Sequence, residues 1–242
     1  MPVSLAPADR SPYRGHRFPP EIIAHAVWLY FRFHLSFRDV QDLLAERGVV
    51  VSHEAIRQWC VKFGAAFAAG LRRRRVRAGD KWHLDEVALK IRGKRHWLWR
   101  AVDQHGVVLD ILVQERRDQA AAERFLRRVL DGEGDVEPRV VITDKLASYL
   151  PAIRRVLPTA EHRRHKRLNN RAENSHLPTR KRERVLQRFK SAEHAQRFLG
   201  PFSAVSNHFR PRRHRLTASD YRQIRTAAHA AWQDVTLAYV RP

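Results

Sequence analysis

The sequence predicts a mixed α/β domain behind an N-terminal unit of three short helices. Three observations carry this. Between Lys81 and Thr143 the chain reads as strand, strand, strand, helix, strand, and a further helix follows, the alternation of a mixed α/β layer. Three segments of helical period with cap signals run from Pro19 to Gly64. The chain has 242 residues, 43% of them hydrophobic, with six Trp, enough for one large domain with a small appendage.

Residues 1–17 read as a loose basic arm. Pro19-Pro20 opens the first helix, because Pro suits the first turn. Ile22, Ile23, Ala26, Val27, Tyr30 and Phe33 share one face. Ser36 is the expected N-cap of a second helix, with Asp39 in its first turn. Phe37, Val40 and Leu44 form its buried stripe, and Gly48 its stop. Ser52 caps a third helix that turns Ile56, Cys60 and Phe63 inward and ends at Gly64. The tight connection between the last two helices fits a helix-turn-helix over residues 18–70. Its third helix would offer His53, Glu54, Arg57, Gln58 and Lys62 outward, and Arg and Gln can pair bidentately with guanine and adenine edges. A plain three-helix packing unit with a solvated polar face fits the same pattern. Residues 71–80 read as a linker. Its run Arg72, Arg73, Arg74, Arg75 suits phosphates, or is merely solvated.

Lys81 to Asp103 reads as a β-hairpin. Trp82, Leu84, Val87, Leu89 and Ile91 form the outgoing strand, Gly93-Lys94 the turn, and His96 to Val102 the return. Asp85 and Glu86 lie inside the first strand, where a carboxylate is costly to bury without a partner. A metal ion is one such partner. Alternatively, one acid faces solvent and the other pairs with an Arg or Lys. A third strand follows at Val107–Val113, then a helix at Asp118–Leu130, a strand at Arg139–Thr143 and a helix at Lys145–Leu157. Asp144 stands where a buried strand meets a loop, the end at which open α/β sheets gather ligands. Its competing role is N-cap of the next helix. From Arg163 to Lys190, eleven Lys/Arg face only Glu173 and Glu183. Glu173 ends an N-x-x-E run from Asn170, the form of a capping box. A helix at Ser191–Phe209 and a helical segment around Tyr221–Ala231 complete the chain, with residues 211–242 as a basic tail.

The formal net charge is +22 and the pI about 11.4. Self-repulsion of that size opposes compaction, so it points to a polyanionic partner, nucleic acid above all. The single cysteine, Cys60, excludes an intrachain disulfide and fits a reducing cytoplasm. No apolar run reaches 18 residues and no signal pattern opens the chain. There is no H-E-x-x-H run and no P-loop, which argues against zinc hydrolysis and ATP use. A strand acid, a strand-end acid and a later acid in a basic field suit phosphodiester chemistry. Magnesium takes oxygen ligands, and two ions can stabilise attacking and leaving oxygens together.

The runs HLDEVALKIRGKRHWLWRAVD, RRDQAAAERFL, ITDKLASYLPAI and EHRRHKRLNNRAENSHLPTRKRER, in this order, resemble the blocks of bacterial DDE insertion-sequence transposases of family six. The segment from Arg17 to Trp59 resembles that family's helix-turn-helix. The resemblance covers about residues 17 to 210. It implies an RNase H-like catalytic domain, taken as residues 81–210, in which the first and fourth strands lie side by side. It makes Asp85, Asp144 and Glu173 the catalytic triad and the ligands of two Mg²⁺ ions, with Mn²⁺ as a substitute. Lys145, Asn169 and Asn170 would lie beside that site, with Arg180 and Lys181 on the DNA. Two departures stand out: the stretch from Asp144 to Glu173 is shorter than in some relatives, and Ser175 replaces an acid that several carry.

The expected protein is a cytoplasmic transposase, at least dimeric, that binds the terminal inverted repeats of its element. It would nick their 3′ ends and join them to target DNA, by a replicative, cointegrate-forming route. A helix-turn-helix regulator with a non-catalytic α/β domain is the alternative, and a structure-specific nuclease a third. Strand transfer separates the three.

Overall fold

The computed structural model describes residues 11–75, 77–144, 146–164, 189–211 and 216–237. The described elements are α1 (Pro20–Arg32), α2 (Phe37–Ala45), α3 (His53–Arg73), β1 (Lys81–Ile91), β2 (Lys94–Asp103), β3 (Val108–Gln114), α4 (Gln119–Gly132), β4 (Val140–Thr143), α5 (Tyr149–Val156), β5 (Glu161–Arg164), α6 (Ala192–Phe209) and α7 (Ala218–Leu237). They fall into two compact units. One comprises Met1–Arg75 and Pro201–Pro242, the other Val76–Gly200. This division differs from a catalytic span of 81–210 with a separate tail, because the residues from Pro201 onward group with the N-terminal helices.

The first unit is helical. Pro20 occupies the first turn of α1. At α2 the capping box is complete: Asp39 N–H donates to Ser36 Oγ at 3.1 Å, and Ser36 N–H donates to Asp39 Oδ2 at 2.7 Å. Ser52 caps α3 through Ala55 N–H at 3.3 Å, and Gly48 takes the left-handed φ of 74° that the stop before it requires. Two expectations fail here. Phe33 is 39% exposed, as the residue that ends α1 rather than part of its stripe. Gly64 does not end α3. It lies in mid-helix where a Cβ would come within 2.8 Å of Phe31 Cε2, so the glycine marks close helix approach and not a cap. α3 therefore continues through Arg72 and Arg73, and Arg74 is its C-cap. The expected linker begins inside a helix.

α7 closes this unit. Phe67 of α3 meets Trp232 edge-on, with ring centroids 5.4 Å apart. Tyr13 stacks on Phe63 at 4.9 Å and donates its hydroxyl to Thr236 O at 2.6 Å. Gly70 leaves room for Val235, whose Cγ1 lies 2.5 Å from where a Cβ would stand.

The second unit carries a five-stranded sheet in the order β3-β2-β1-β4-β5. β1, β2 and β3 are antiparallel neighbours, while β4 and β5 run parallel to β1. This is the RNase H-like arrangement that the resemblance implies, with first and fourth strands adjacent. The hairpin turns on Arg92-Gly93, both at positive φ (49° and 82°), one residue earlier than expected; two such residues make the I′ turn that matches strand twist. β5 was not expected, because EHRR has no apolar pattern and is largely exposed at the sheet edge. Leu84, Trp99 and Ala101 on one sheet face pack against Phe125 and Leu126 of α4 and Ile153 of α5. Each of the larger side chains among them contributes about 1.5–3 kcal/mol through burial. On the other face Leu98, Arg100 and Val102 are buried. At the open edge of β3, Gln196 of α6 accepts from Val113 N–H at 2.8 Å and donates to Ile111 O at 3.1 Å. No helix among the described residues is long and apolar enough to cross a membrane.

Candidate active site

Parallel pairing of β1 with β4 sets Lys81 level with Val140, Trp82 with Val141 and His83 with Ile142. The same offset, carried two residues on, brings Asp85 level with Asp144. Asp85 is half-buried in mid-strand, across from Arg100 of β2. Burial lowers the Arg100 pKa to about 10, and the Asp85 charge acts in the opposite direction. Asp144 follows the last residue of β4. The competing N-cap role is not its own: α5 starts at Tyr149, with Ser148 before it. Instead Asp144 Oδ1 accepts from Leu146 N–H at 2.9 Å in a local turn, and its side chain stays 28% exposed.

Pleating turns Glu86 to the opposite face from Asp85, among the core residues. There it is only 7% exposed. Tyr149 donates its hydroxyl to Glu86 Oε2 at 2.7 Å, and Arg117 donates Nε–H to Oε1 at 2.7 Å. Of the two readings for this acidic pair, Glu86 thus follows the second, paired with an Arg. Arg117 also stacks over Trp97 at 4.6 Å and points Nη2 at Asp144 Oδ2, 3.8 Å away. Burial pushes the Glu86 carboxyl up to about 7; the nearby Asp144 charge adds to this, and the Tyr149 and Arg117 hydrogen bonds oppose it. Tyr149 is driven well above the usual phenol value, first by burial and then by Glu86, Asp85 and Asp144. One tyrosine thus feels all three carboxylates.

Asp85 inside β1 and Asp144 just past the end of neighbouring β4 offer hard oxygen donors, which suit Mg²⁺ or Mn²⁺ better than zinc. Among the described residues no three His, Cys, Asp or Glu come together as a metal site. The expected third acid, Glu173, lies outside the described residues, as do Lys145, Asn169, Asn170, Arg180 and Lys181. The two described acids fit a divalent ion as part of a larger set. Reading the sequence missed Arg117 and Tyr149. The signal was there in Glu86, since an acid buried in a strand must have partners.

In the helical unit, Arg57, Gln58 and Lys62 lie exposed on α3. Glu54 gathers the first two: Arg57 Nε donates at 2.8 Å and Gln58 Nε2 at 3.3 Å. The Arg57 guanidinium holds the Glu54 carboxyl down at about 2. Lys62 Nζ lies 2.9 Å from His16 Nε2. Arg74 is engaged within the unit, donating to Ala231 O at 3.1 Å with Asp234 Oδ2 at 3.5 Å.

Residues 79–212 match the family described as a DDE domain, of the IS240 type. The transposase of insertion sequence-like element IS431mec from Staphylococcus aureus strain Mu50 is 32% identical over 186 residues, covering 75% of this chain and 82% of that protein. The transposase of element IS257 in transposon Tn4003, also from Staphylococcus aureus, matches with the same identity and coverage. Among solved structures, the Mos1 transposase catalytic domain with raltegravir and Mg overlays 75% of this chain and 96% of that one, at 17% identity and a TM-score of 0.42. The HTLV-2 integrase catalytic core with magnesium overlays 62% and 98%, at 12% and 0.40. By its family match and its relatives, this chain belongs to the DDE transposases of bacterial insertion sequences.

Proposed function

We propose that this transposase binds the terminal inverted repeats of its own element, cuts at their 3′ ends, and joins each freed 3′-hydroxyl to target DNA by a replicative, cointegrate-forming route. The observation that carries the reading is the parallel pairing of β1 with β4, whose register, extended past the end of β4, sets Asp144 level with Asp85, with both charges acting on Tyr149. Asp85, Asp144 and Glu173 would hold two Mg²⁺ ions, or Mn²⁺ in their place. Divalent ions in such a set stabilise the charge on attacking and leaving oxygens of the phosphodiester. Lys145, Asn169 and Asn170 flank that set in sequence, and Arg180 and Lys181 supply charge for the DNA backbone. Arg57, Gln58 and Lys62 on α3 would read the inverted repeat, while Arg72, Arg73 and Arg75 at its end meet phosphates. Work on two element ends calls for at least two chains, acting on DNA in the bacterial cytoplasm.

Labelled element-end DNA, a target plasmid and Mg²⁺ test this directly. The wild-type chain is expected to give a joined product, and Asp85→Asn and Asp144→Asn are expected to bind ends normally and give none. Joining by either variant at the wild-type rate would refute the assignment. Glu173→Gln separates ligand from cap. Gln can still close a capping box, so a purely structural Glu173 would leave joining near normal. The expected result is normal end binding, melting within a few degrees of wild type, and no joined product.

A further inference from the structure

Arg117 stands between the candidate site and the core, and the proposed reaction has so far given it no task. Its surroundings fix it firmly. Nε donates to Glu86 Oε1 at 2.7 Å, Nη2 pairs with the same oxygen, and the guanidinium plane lies 4.6 Å from the Trp97 ring centroid. Glu86 is itself anchored from the other side by the buried Tyr149 hydroxyl. Nη2 reaches Asp144 Oδ2 at 3.8 Å, a longer contact than that to Glu86. The place of Arg117 is therefore set by Glu86 and Trp97, and Asp144 rests against it. The other Asp144 oxygen accepts Leu146 N–H. A strand-end Asp without such contacts would sample several χ1 and χ2 settings. With one oxygen on a backbone N–H and the other against a fixed guanidinium, it holds one.

We infer that Arg117, clamped by Glu86 and Trp97, is a positioning residue that holds the Asp144 carboxylate in one orientation as a ligand of the proposed divalent-ion site. The inference rests on the reading of Asp144 as a metal ligand. It also carries a sign. A guanidinium near a cation site repels the cation, so if charge alone mattered its removal would tighten metal binding. Removal of an orienting partner instead weakens binding, by about 10- to 100-fold where such outer contacts have been altered. Lys cannot reproduce the planar fork or its stacking, so Arg117→Lys keeps the charge and loses the geometry.

The experiment is a titration of the full-length protein with Mn²⁺, followed by melting temperature, for wild type, Arg117→Lys, the double variant Glu86→Gln/Arg117→Gln, and Asp144→Asn. The double variant avoids a buried unpaired carboxylate, so it remains informative if a single replacement fails to fold. Arg117→Lys and the double variant are expected to need about tenfold more Mn²⁺ for the half-maximal shift, with element-end binding unchanged. Asp144→Asn is expected to lose the shift. Unchanged or tighter Mn²⁺ response in both Arg117 variants, with the shift lost in Asp144→Asn, would overturn the positioning role and leave the site assignment standing. A full shift in Asp144→Asn would overturn the site assignment itself.

Discussion

Glu86 owes its raised pKa to burial before any neighbour, and this has a consequence for stability. The folded state holds the proton more tightly than the unfolded chain. The Glu86 contribution is thus fully present below the ordinary carboxyl value of 4.5 and is lost as pH rises through about 7. Several histidines act in the opposite sense. Burial lowers His162 and His194, so their contribution is lost as pH falls. The difference between wild type and Glu86→Gln isolates the carboxyl. In metal-free buffer the variant is expected to gain on wild type in melting temperature from pH 5 to pH 8. A constant difference across that range would contradict burial as the cause. Asp85 makes a separate prediction. Mn²⁺ binding only the folded state raises the melting temperature, and Asp85→Asn is expected to abolish that rise; an equal rise in both proteins would remove Asp85 from the site.

Among the elements, α3 shows where sequence reasoning succeeds and where it stops. Ser52, Ile56, Cys60 and Phe63 placed its start and buried face correctly, because caps and period are local signals. Its end was misplaced, because Gly64 is there for Phe31, a contact between helices that no local pattern records. Gly64→Ala sets a helix-propensity gain of about 1 kcal/mol against an overpacking cost of about 1–3 kcal/mol. Phe31 is only 3% exposed and has little room to yield, so the variant is expected to melt a few degrees lower. The two ends of α3 also differ in their expected DNA roles. Arg57→Ala should lose base discrimination of about 1–3 kcal/mol for the repeat over random DNA. Arg73→Ala should weaken both alike and flatten the salt dependence. Equal losses for Arg57→Ala on both DNAs would take the recognition role from this helix. In the sheet, the hairpin and β4 were legible from apolar runs bounded by turns. β5 was not, since its place comes from pairing with β4.

At the scale of the molecule, the charge was legible in the sequence, but the partition of the chain was not. Composition gives +22 without saying which segments pack together. The helical unit combines the first 75 residues with those from Pro201 onward, a pairing separated by the whole sheet and so invisible to local periodicity. Its energetics suggest that the halves depend on each other. Phe202, Phe209 and Trp232 are 2%, 0% and 5% exposed. Each such side chain contributes about 1.5–3 kcal/mol through burial, against a net domain stability of about 5–15 kcal/mol. Removing them together would consume much or all of that margin. It would also uncover Phe67, which meets Trp232, and leave Tyr13 without Thr236. The segment 1–75 holds every α3 residue proposed to touch the repeat, yet it is expected to show no cooperative melting and no element-end binding alone. Adding the segment 201–242 as a second chain is expected to restore both in part, because those contacts are noncovalent. Circular dichroism melting and an end-DNA binding titration measure this. Full-strength binding by 1–75 alone would mean that α7 contributes nothing to the fold of the DNA-reading helices.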